Sequence, residues 1–217
     1  WIPDLFMKRL IYAIQNKTAV KWSLMCPDAS HIKGDPRLYD VYGEEFENLY
    51  LKYENMGLYI KQIEDIRDLW QGIISAQQES GVPYILYKDH INNKNNQSNL
   101  GTIRTSNLCA EIVEYSDENE HSVCNLASIA LQRFIKSSCE YDFKKLYDVA
   151  YLTTINLDKV IDITFYPTDA TKRSNFRHRP VGLGVQGLAD VFILMKMPFD
   201  SIEASVLNKQ IFETIYF

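Results

Sequence analysis

Apolar side chains recur at helical spacing in several stretches of the chain. Phe46, Leu49, Tyr50 and Tyr53 form one stripe, Ile63, Ile66, Trp70 and Ile73 a second, and Phe143, Leu146, Ala150, Thr153, Leu157 and Val160 a third. A period near 3.6 puts each set on one face, so the spacing predicts amphipathic helices that each bury one stripe. Asp200, with Glu203 in capping-box spacing, predicts the start of a last helix whose Ile202, Val206 and Ile215 are apolar. Shorter runs read as strands: Pro83 to Tyr87, Ser106 to Tyr115, Val123 to Ile129, and the stretch Val181 to Val185. Helices alternating with mainly apolar strands predict an α/β fold with a parallel or mixed sheet covered on both faces. Periodicity leaves open whether that sheet is open or closed. The polar run Asn92 to Asn99 reads as one exposed loop, and no repeat or interdomain linker stands out.

Composition narrows the function classes. With 46% hydrophobic and 24% charged residues in 217 positions, the chain is long and apolar enough to bury a core, and one domain or a piece of a larger one is expected. A net charge of -5 argues against a nucleic-acid scaffold, which needs clustered Lys and Arg to neutralise phosphates. No apolar run approaches the roughly 18 residues of a membrane span, and no basic-then-apolar leader opens the chain, so a cytoplasmic protein is expected. Cys26, Cys109, Cys124 and Cys139 lie far apart, which argues against a structural disulfide framework and for chemical roles where a cysteine has a role. The chain starts at Trp1 without Met and stops at Phe217 inside an apolar-periodic stretch, the expectation being a fragment.

The segment Ser106-Asn107-Leu108-Cys109-Ala110-Glu111-Ile112 alternates polar and apolar residues. If extended, it projects Asn107, Cys109 and Glu111 from one face, about 6.5 Å apart at successive steps. An amide, a thiol and a carboxylate in a row offer an orienting hydrogen-bonder, a redox-active sulfur and a general base within the span of one sugar. On spacing alone, an amphipathic edge strand with a half-buried cysteine explains the same pattern.

The surrounding residues carry a resemblance. Asn99 to Tyr115, followed by Val123-Cys-Asn-Leu-Ala-Ser-Ile129, resembles the active-site region of the large subunit of class I ribonucleotide reductases in their eukaryotic and viral branch. The likeness continues in Trp1 to Lys8, Trp22 to Pro27, Gly43 to Phe46, Pro83 to Asp89, Arg177 to Asp190 and Asn208 to Tyr216, in family order. The resemblance implies a ten-stranded α/β barrel of which residues 1–217 form part. It implies that Cys109 becomes a thiyl radical and abstracts the ribose 3′-hydrogen. Glu111 would take the 3′-hydroxyl proton, Asn107 would hold the sugar in register, and Cys124 would be one half of a reducing dithiol that supplies a proton and electrons as the 2′-hydroxyl leaves as water. Ser106, Asn107, Leu108, Cys109, Ala110 and Glu111 would line the substrate.

As implied partners, the resemblance gives ribonucleoside diphosphate substrates, a small metal-containing subunit that generates the radical, a second large subunit, and thioredoxin or glutaredoxin as reductant. No cofactor or metal would bind directly to these residues, and ATP and deoxynucleotide effectors would act at sites elsewhere. The N-terminal regulatory domain, the specificity loops, the relay tyrosines, the second dithiol cysteine and a C-terminal cysteine pair have no matching residues here. Cys26 and Cys139 are expected to be structural. A degenerate noncatalytic homologue, or another thiyl-radical enzyme of the same barrel, is the rival reading.

Other signals point elsewhere. Gly182-Leu-Gly-Val-Gln-Gly187 fits a dinucleotide-binding glycine pattern, but the residues before it, Arg173 to Pro180, are not the apolar strand that such a site needs. A turn leading into a helix from Gln186 to Met195 is expected instead. His121 and Cys124 supply too few ligands to close a tetrahedral metal site. Arg177-His178-Arg179 is left unassigned, and Tyr50, Tyr53 and Trp70 are expected to pack the core rather than carry a radical.

Overall fold

The computed structural model describes residues 1–136 and 140–217. The expectation for Cys139 therefore lies outside the described residues. Two compact units divide the chain, Trp1–Asp117 and Glu118–Phe217. The junction lies in Glu114-Tyr-Ser-Asp-Glu-Asn-Glu120, which lacks the Gly and Pro that mark linkers.

The first unit runs α1 (Asp4–Asn16), β1 (Trp22–Leu24), α2 (Gly43–Asn55), β2 (Lys61–Ile63), α3 (Ile66–Ser80) and α4 (Lys88–Asn93). α1 buries Leu5, Phe6, Leu10 and Ala13, and α2 buries Phe46, Leu49, Tyr50 and Tyr53, the predicted stripe. Trp22 stacks on Tyr50 at 4.6 Å between ring centroids and meets Phe6 edge-on at 5.0 Å, as aromatic quadrupoles favour. β1 and β2 pair antiparallel, with Trp22 opposite Ile63. Ile63 thus belongs to a strand, and the helix predicted to include it opens three residues later, where Asp65 caps it by accepting from Arg67 N.

The second unit runs β3 (Leu126–Ala130), a short 3₁₀ turn (Leu131–Phe134), α5 (Phe143–Ile163), α6 (Asp169–His178), β4 (Gly182–Gln186), α7 (Leu188–Leu194) and α8 (Ile202–Tyr216). β3 and β4 pair in parallel from Leu126 opposite Gly182 to Ala130 opposite Gln186, linked by a crossover that contains α5 and α6. The core joins Ile129, Leu131 and Phe134 to Leu146 and Ala150 of α5, Val191 and Phe192 of α7, and Leu207 and Ile211 of α8. The last helix starts one residue later than its expected cap: Ser201, not Asp200, accepts from Ala204 N.

The α/β class holds, with the paired strands among the described residues lying in two two-stranded sheets. The expected strand at Pro83 to Tyr87 reduces to one bridge, Ile2 with Tyr87. The expected strand at Val123 to Ile129 is shifted to 126–130, and that at Val181 to Val185 is present as β4. Gln186 belongs to β4, so the predicted helix from it begins at Leu188.

Candidate functional site

Ile103, fully buried, anchors the segment that carries Asn107, Cys109 and Glu111. Asn92 Nδ2 donates to Ile103 O at 3.1 Å, and Ile103 N donates to Asn92 Oδ1 at 2.7 Å, so one buried amide satisfies both main-chain groups. Thr102 Oγ1 donates to Asp40 O at 2.6 Å, and Tyr115 N donates to Gln97 Oε1 at 2.7 Å. The ends of the loop are thereby tied to the first unit, and its tip projects.

At that tip the chain turns instead of extending. Ala110 N donates to Asn107 O at 3.1 Å, with Ala110 at a φ of 63°. Asn107 Oδ1 accepts from Ile112 N at 3.0 Å, and Ser106 Oγ donates to Ile112 O at 2.5 Å. These side chains take the main-chain bonds that a neighbouring strand would make, a substitution that Asn and Ser perform readily. The expected extended row of Asn107, Cys109 and Glu111 is therefore corrected to a turn. Cys109 and Glu111 are exposed, Leu108 is 89% exposed, and Asn107 is half-buried with its carbonyl oxygen committed to the loop.

Cys124 falls in the second unit, exposed and two residues before the start of β3. Its neighbour Asn125 is buried and forms a reciprocal amide pair with Asn175 of α6: Asn125 Nδ2 donates to Asn175 Oδ1 at 2.8 Å, and Asn175 Nδ2 donates to Asn125 Oδ1 at 3.3 Å. Upstream, buried Glu120 accepts from Arg177 and lies 2.6 Å from His178 Nε2. His178 and Arg177 hold the Glu120 carboxyl below the usual carboxylate range. Arg173 Nη1 donates to Asn119 O at 2.8 Å, and Arg179 pairs with Asp158 and Asp162 at 2.6 and 3.0 Å. In the unassigned basic run, Arg177 and Arg179 are thus ion-paired, and His178 between them is hydrogen-bonded to Glu120. Sequence reasoning passed over both Asn175 and Glu120; α6 buries only Ser174 and Asn175 and carries no apolar stripe to mark it as a helix.

Cys26 is half-buried in a turn in which Cys26 N donates to Ser30 Oγ at 3.0 Å and Ser30 N to Cys26 O at 3.1 Å. It borders a cavity of about 290 Å³ lined by Trp22, His31, Tyr39, Phe46 and Lys88, among others. Among the described residues no cluster of His, Cys, Asp and Glu is arranged to hold a metal ion, and no helix is long and apolar enough to cross a membrane. Gly182 and Gly184 lie inside β4, and Gly187 is the cap of α7 with a φ of 79°. The first two glycines of the pattern therefore lie inside the strand and not in a phosphate-binding turn after it, and Gly187 alone of the three stands at the strand-to-helix junction.

Residues 1–217 match a family model described as the barrel domain of ribonucleotide reductase. The chain is 54% identical over 217 residues to the ribonucleoside-diphosphate reductase large subunit of Caenorhabditis elegans. It is 55% identical over the same length to that of Variola virus and 55% identical to the large chain of Neurospora crassa. All of the chain is covered in each case, whereas it spans 26%, 26% and 22% of those relatives.

Proposed function

The chain belongs to the ribonucleotide reductase barrel-domain family, and from that premise we propose that the protein reduces ribonucleoside diphosphates to deoxyribonucleoside diphosphates by a thiyl-radical mechanism. The observation that carries this reading is identity of 54 to 55% over all 217 residues to large subunits from an animal, a virus and a fungus. The Asn107-Leu-Cys-Ala-Glu111 and Val123-Cys-Asn125 segments are intact in the chain.

In this mechanism the Cys109 sulfur, as a thiyl, takes the 3′-hydrogen atom of the ribose. Glu111 accepts the 3′-hydroxyl proton and Asn107 orients the sugar. The 2′-hydroxyl leaves as water with a proton from Cys124, the hydrogen of a second cysteine takes its place on the 2′-carbon, the two sulfurs supply the two electrons and join as a disulfide, and Glu111 returns its proton to the 3′-oxygen. The hydrogen atom then returns from Cys109 to the 3′-carbon, and an external dithiol such as thioredoxin or glutaredoxin reduces the disulfide. The second cysteine, the regulatory domain that takes ATP and deoxynucleotides, the specificity loops, the relay tyrosines and the C-terminal cysteine pair belong to the greater part of the relatives' length that this chain does not span. Closure of a ten-stranded barrel belongs there too, as does the contact with a second large subunit and with the small metal-containing subunit that supplies the radical.

The exposed turn at Cys109 bears on this reading. A thiyl radical needs a chamber closed to water, and residues 1–217 leave the thiol exposed. The reading therefore requires segment 106–112 to be covered, and its turn opened, in the complete protein. The same exposure favours the rival reading, a homologue that keeps the fold without turnover. In the complete protein with its radical-generating partner, Cys109→Ser is expected to abolish deoxynucleotide formation while nucleotide still binds. Cys124→Ser is expected to stop turnover that depends on the external dithiol. Undiminished product from the Cys109→Ser protein refutes the assignment, and a complete wild-type protein that makes none supports the noncatalytic homologue.

A further inference from the structure

We propose that Asn125 and Asn175 are positioning residues for Cys124: a buried pair of amides that fixes the chain at the entry to β3 and so sets the direction in which the thiol is presented. The inference rests on the reading of Cys124 as a redox cysteine and adds to it the part of the molecule that aims the sulfur.

The polar atoms of the pair are fully engaged. Asn125 Nδ2 has two hydrogens and two close acceptors, Asn175 Oδ1 at 2.8 Å and Pro180 O at 2.8 Å. Asn175 Nδ2 donates to Asn125 Oδ1 at 3.3 Å and to Tyr166 Oη at 2.7 Å, and Tyr166 Oη passes its own hydrogen to Ile161 O at 2.7 Å. The main chain of Asn125 is used as well, its carbonyl accepting from Gly182 N at 2.8 Å. One residue thus ties together the entry to β3, the first residue of β4, α6 and the end of α5.

Holding the fold together does not by itself call for amides here. Two side chains, 6% and 0% exposed, surrender their hydration, and an apolar pair of the same shape would dispense with their mutual hydrogen bonds, leaving only Pro180 O and Tyr166 Oη short of a donor. What paired amides add is a single permitted arrangement, because any slip leaves several buried donors and acceptors without partners. Register matters most at this point. The ladder begins at Leu126 opposite Gly182, so a displacement of one residue would turn every side chain of β3 to the other face and Cys124 with it. The segment is also held upstream by the same helix, through Arg173 to Asn119 O, through Arg177 and His178 to Glu120, and through His121 N to Ala170 O. Cys124 is thereby presented from a stretch gripped on both sides by α6.

The test uses the complete protein with its radical-generating partner. In the double variant Asn125→Leu/Asn175→Leu the two amides are replaced together by apolar groups of similar size, so their mutual hydrogen bonds leave no orphan, while Pro180 O and Tyr166 Oη each lose a donor; the thermal midpoint should fall but the protein should still fold. kcat is expected to fall about tenfold to a hundredfold, with KM for the ribonucleoside diphosphate changed less than about twofold. Product formed in a single turnover by pre-reduced enzyme, without external dithiol, should fall in parallel. Asn175→Asp, which keeps the shape but removes two donors, should show the same split between kcat and KM. A Leu pair with wild-type kcat and single-turnover product overturns the proposal. So does a Leu pair that unfolds the protein, because the amides would then be holding the fold and not aiming the thiol. Cys124→Ser separates the two levels: if it retains single-turnover product, the redox reading of Cys124 fails; if it loses product while the Leu pair behaves as wild type, only the positioning role fails.

Discussion

Lys88 and Asp89 are adjacent, both charged in water, and only 3% and 2% exposed in the folded chain. Asp89 makes its burial useful by reaching two helix starts that lack side-chain caps of their own. It accepts from Asp4 N at 2.6 Å at the head of α1 and from Gly43 N at the head of α2. Lys88 Nζ donates to Leu38 O at 2.6 Å and sits 4.4 Å from the Phe46 ring centre, which offsets only part of its lost hydration. Burial therefore pushes its pKa down to about 8. Because the unfolded chain keeps the proton to higher pH, the penalty for a charged Lys88 is full below about pH 8 and is relieved as pH rises from there towards 10.5. Between about pH 7 and pH 9.5 this should add roughly 2 kcal/mol of stability to the wild type relative to Lys88→Met, read as the change in the difference between urea midpoints. Equal pH dependence in the two proteins would show that Lys88 is not desolvated as described. At this same scale the roles proposed for Cys109, Glu111 and Cys124 rest on the family resemblance that their motifs carry, whereas the burial of Lys88 was not legible at all, since nothing local distinguishes it from the exposed lysines.

Helices and strands differed in how far they could be read. The stripe of α2 was legible because four apolar positions repeat within one continuous segment and all are buried, and that of α5 was legible at Leu146, Ala150 and Leu157; α3 was placed by its spacing but buries only Ile66. α6 was missed because its buried side chains are polar. The strands were placed less well, since each depends on a partner far away in sequence; β4 exists because β3 lies alongside it, and Ser106 to Tyr115 has no such neighbour among the described residues. Glycine shows the same dependence on place. Gly187 has a φ of 79°, and a Cβ added there would collide with Gln132 Oε1 and stand 2.9 Å from its Cδ. Gly187→Ala should therefore cost about 1–3 kcal/mol in urea unfolding. Gly72, inside α3 with nothing within 4 Å of an added Cβ, should become more stable by about 0.5–1 kcal/mol when changed to Ala. Similar midpoint shifts in the two variants would contradict this contrast.

At the scale of the molecule, each unit leaves large apolar side chains in water, among them Tyr12 and Ile14 of α1, and Ile163, Phe165, Ile193 and Ile202 of the second unit. Folded proteins rarely leave so much apolar surface uncovered, and the chain spans about a quarter of its relatives' length. On the proposed function, added polypeptide also covers Cys109. In the complete protein Cys109 should then react with iodoacetamide at least about tenfold more slowly than in the urea-unfolded chain; equal rates would leave the radical unprotected and remove the proposed role. The amino-acid sequence by itself determined the α/β class, the main amphipathic helices and the family, because helical periodicity and motif identity are local properties of the chain. Tertiary structure decided the division into two units, the pairing of β3 with β4, the amide pair behind Cys124 and the turn at Cys109. Those features depend on which distant groups are present to receive a main-chain hydrogen bond: where a partner strand lies alongside, the backbone extends, and where none does, Ser106 and Asn107 fold it back on itself.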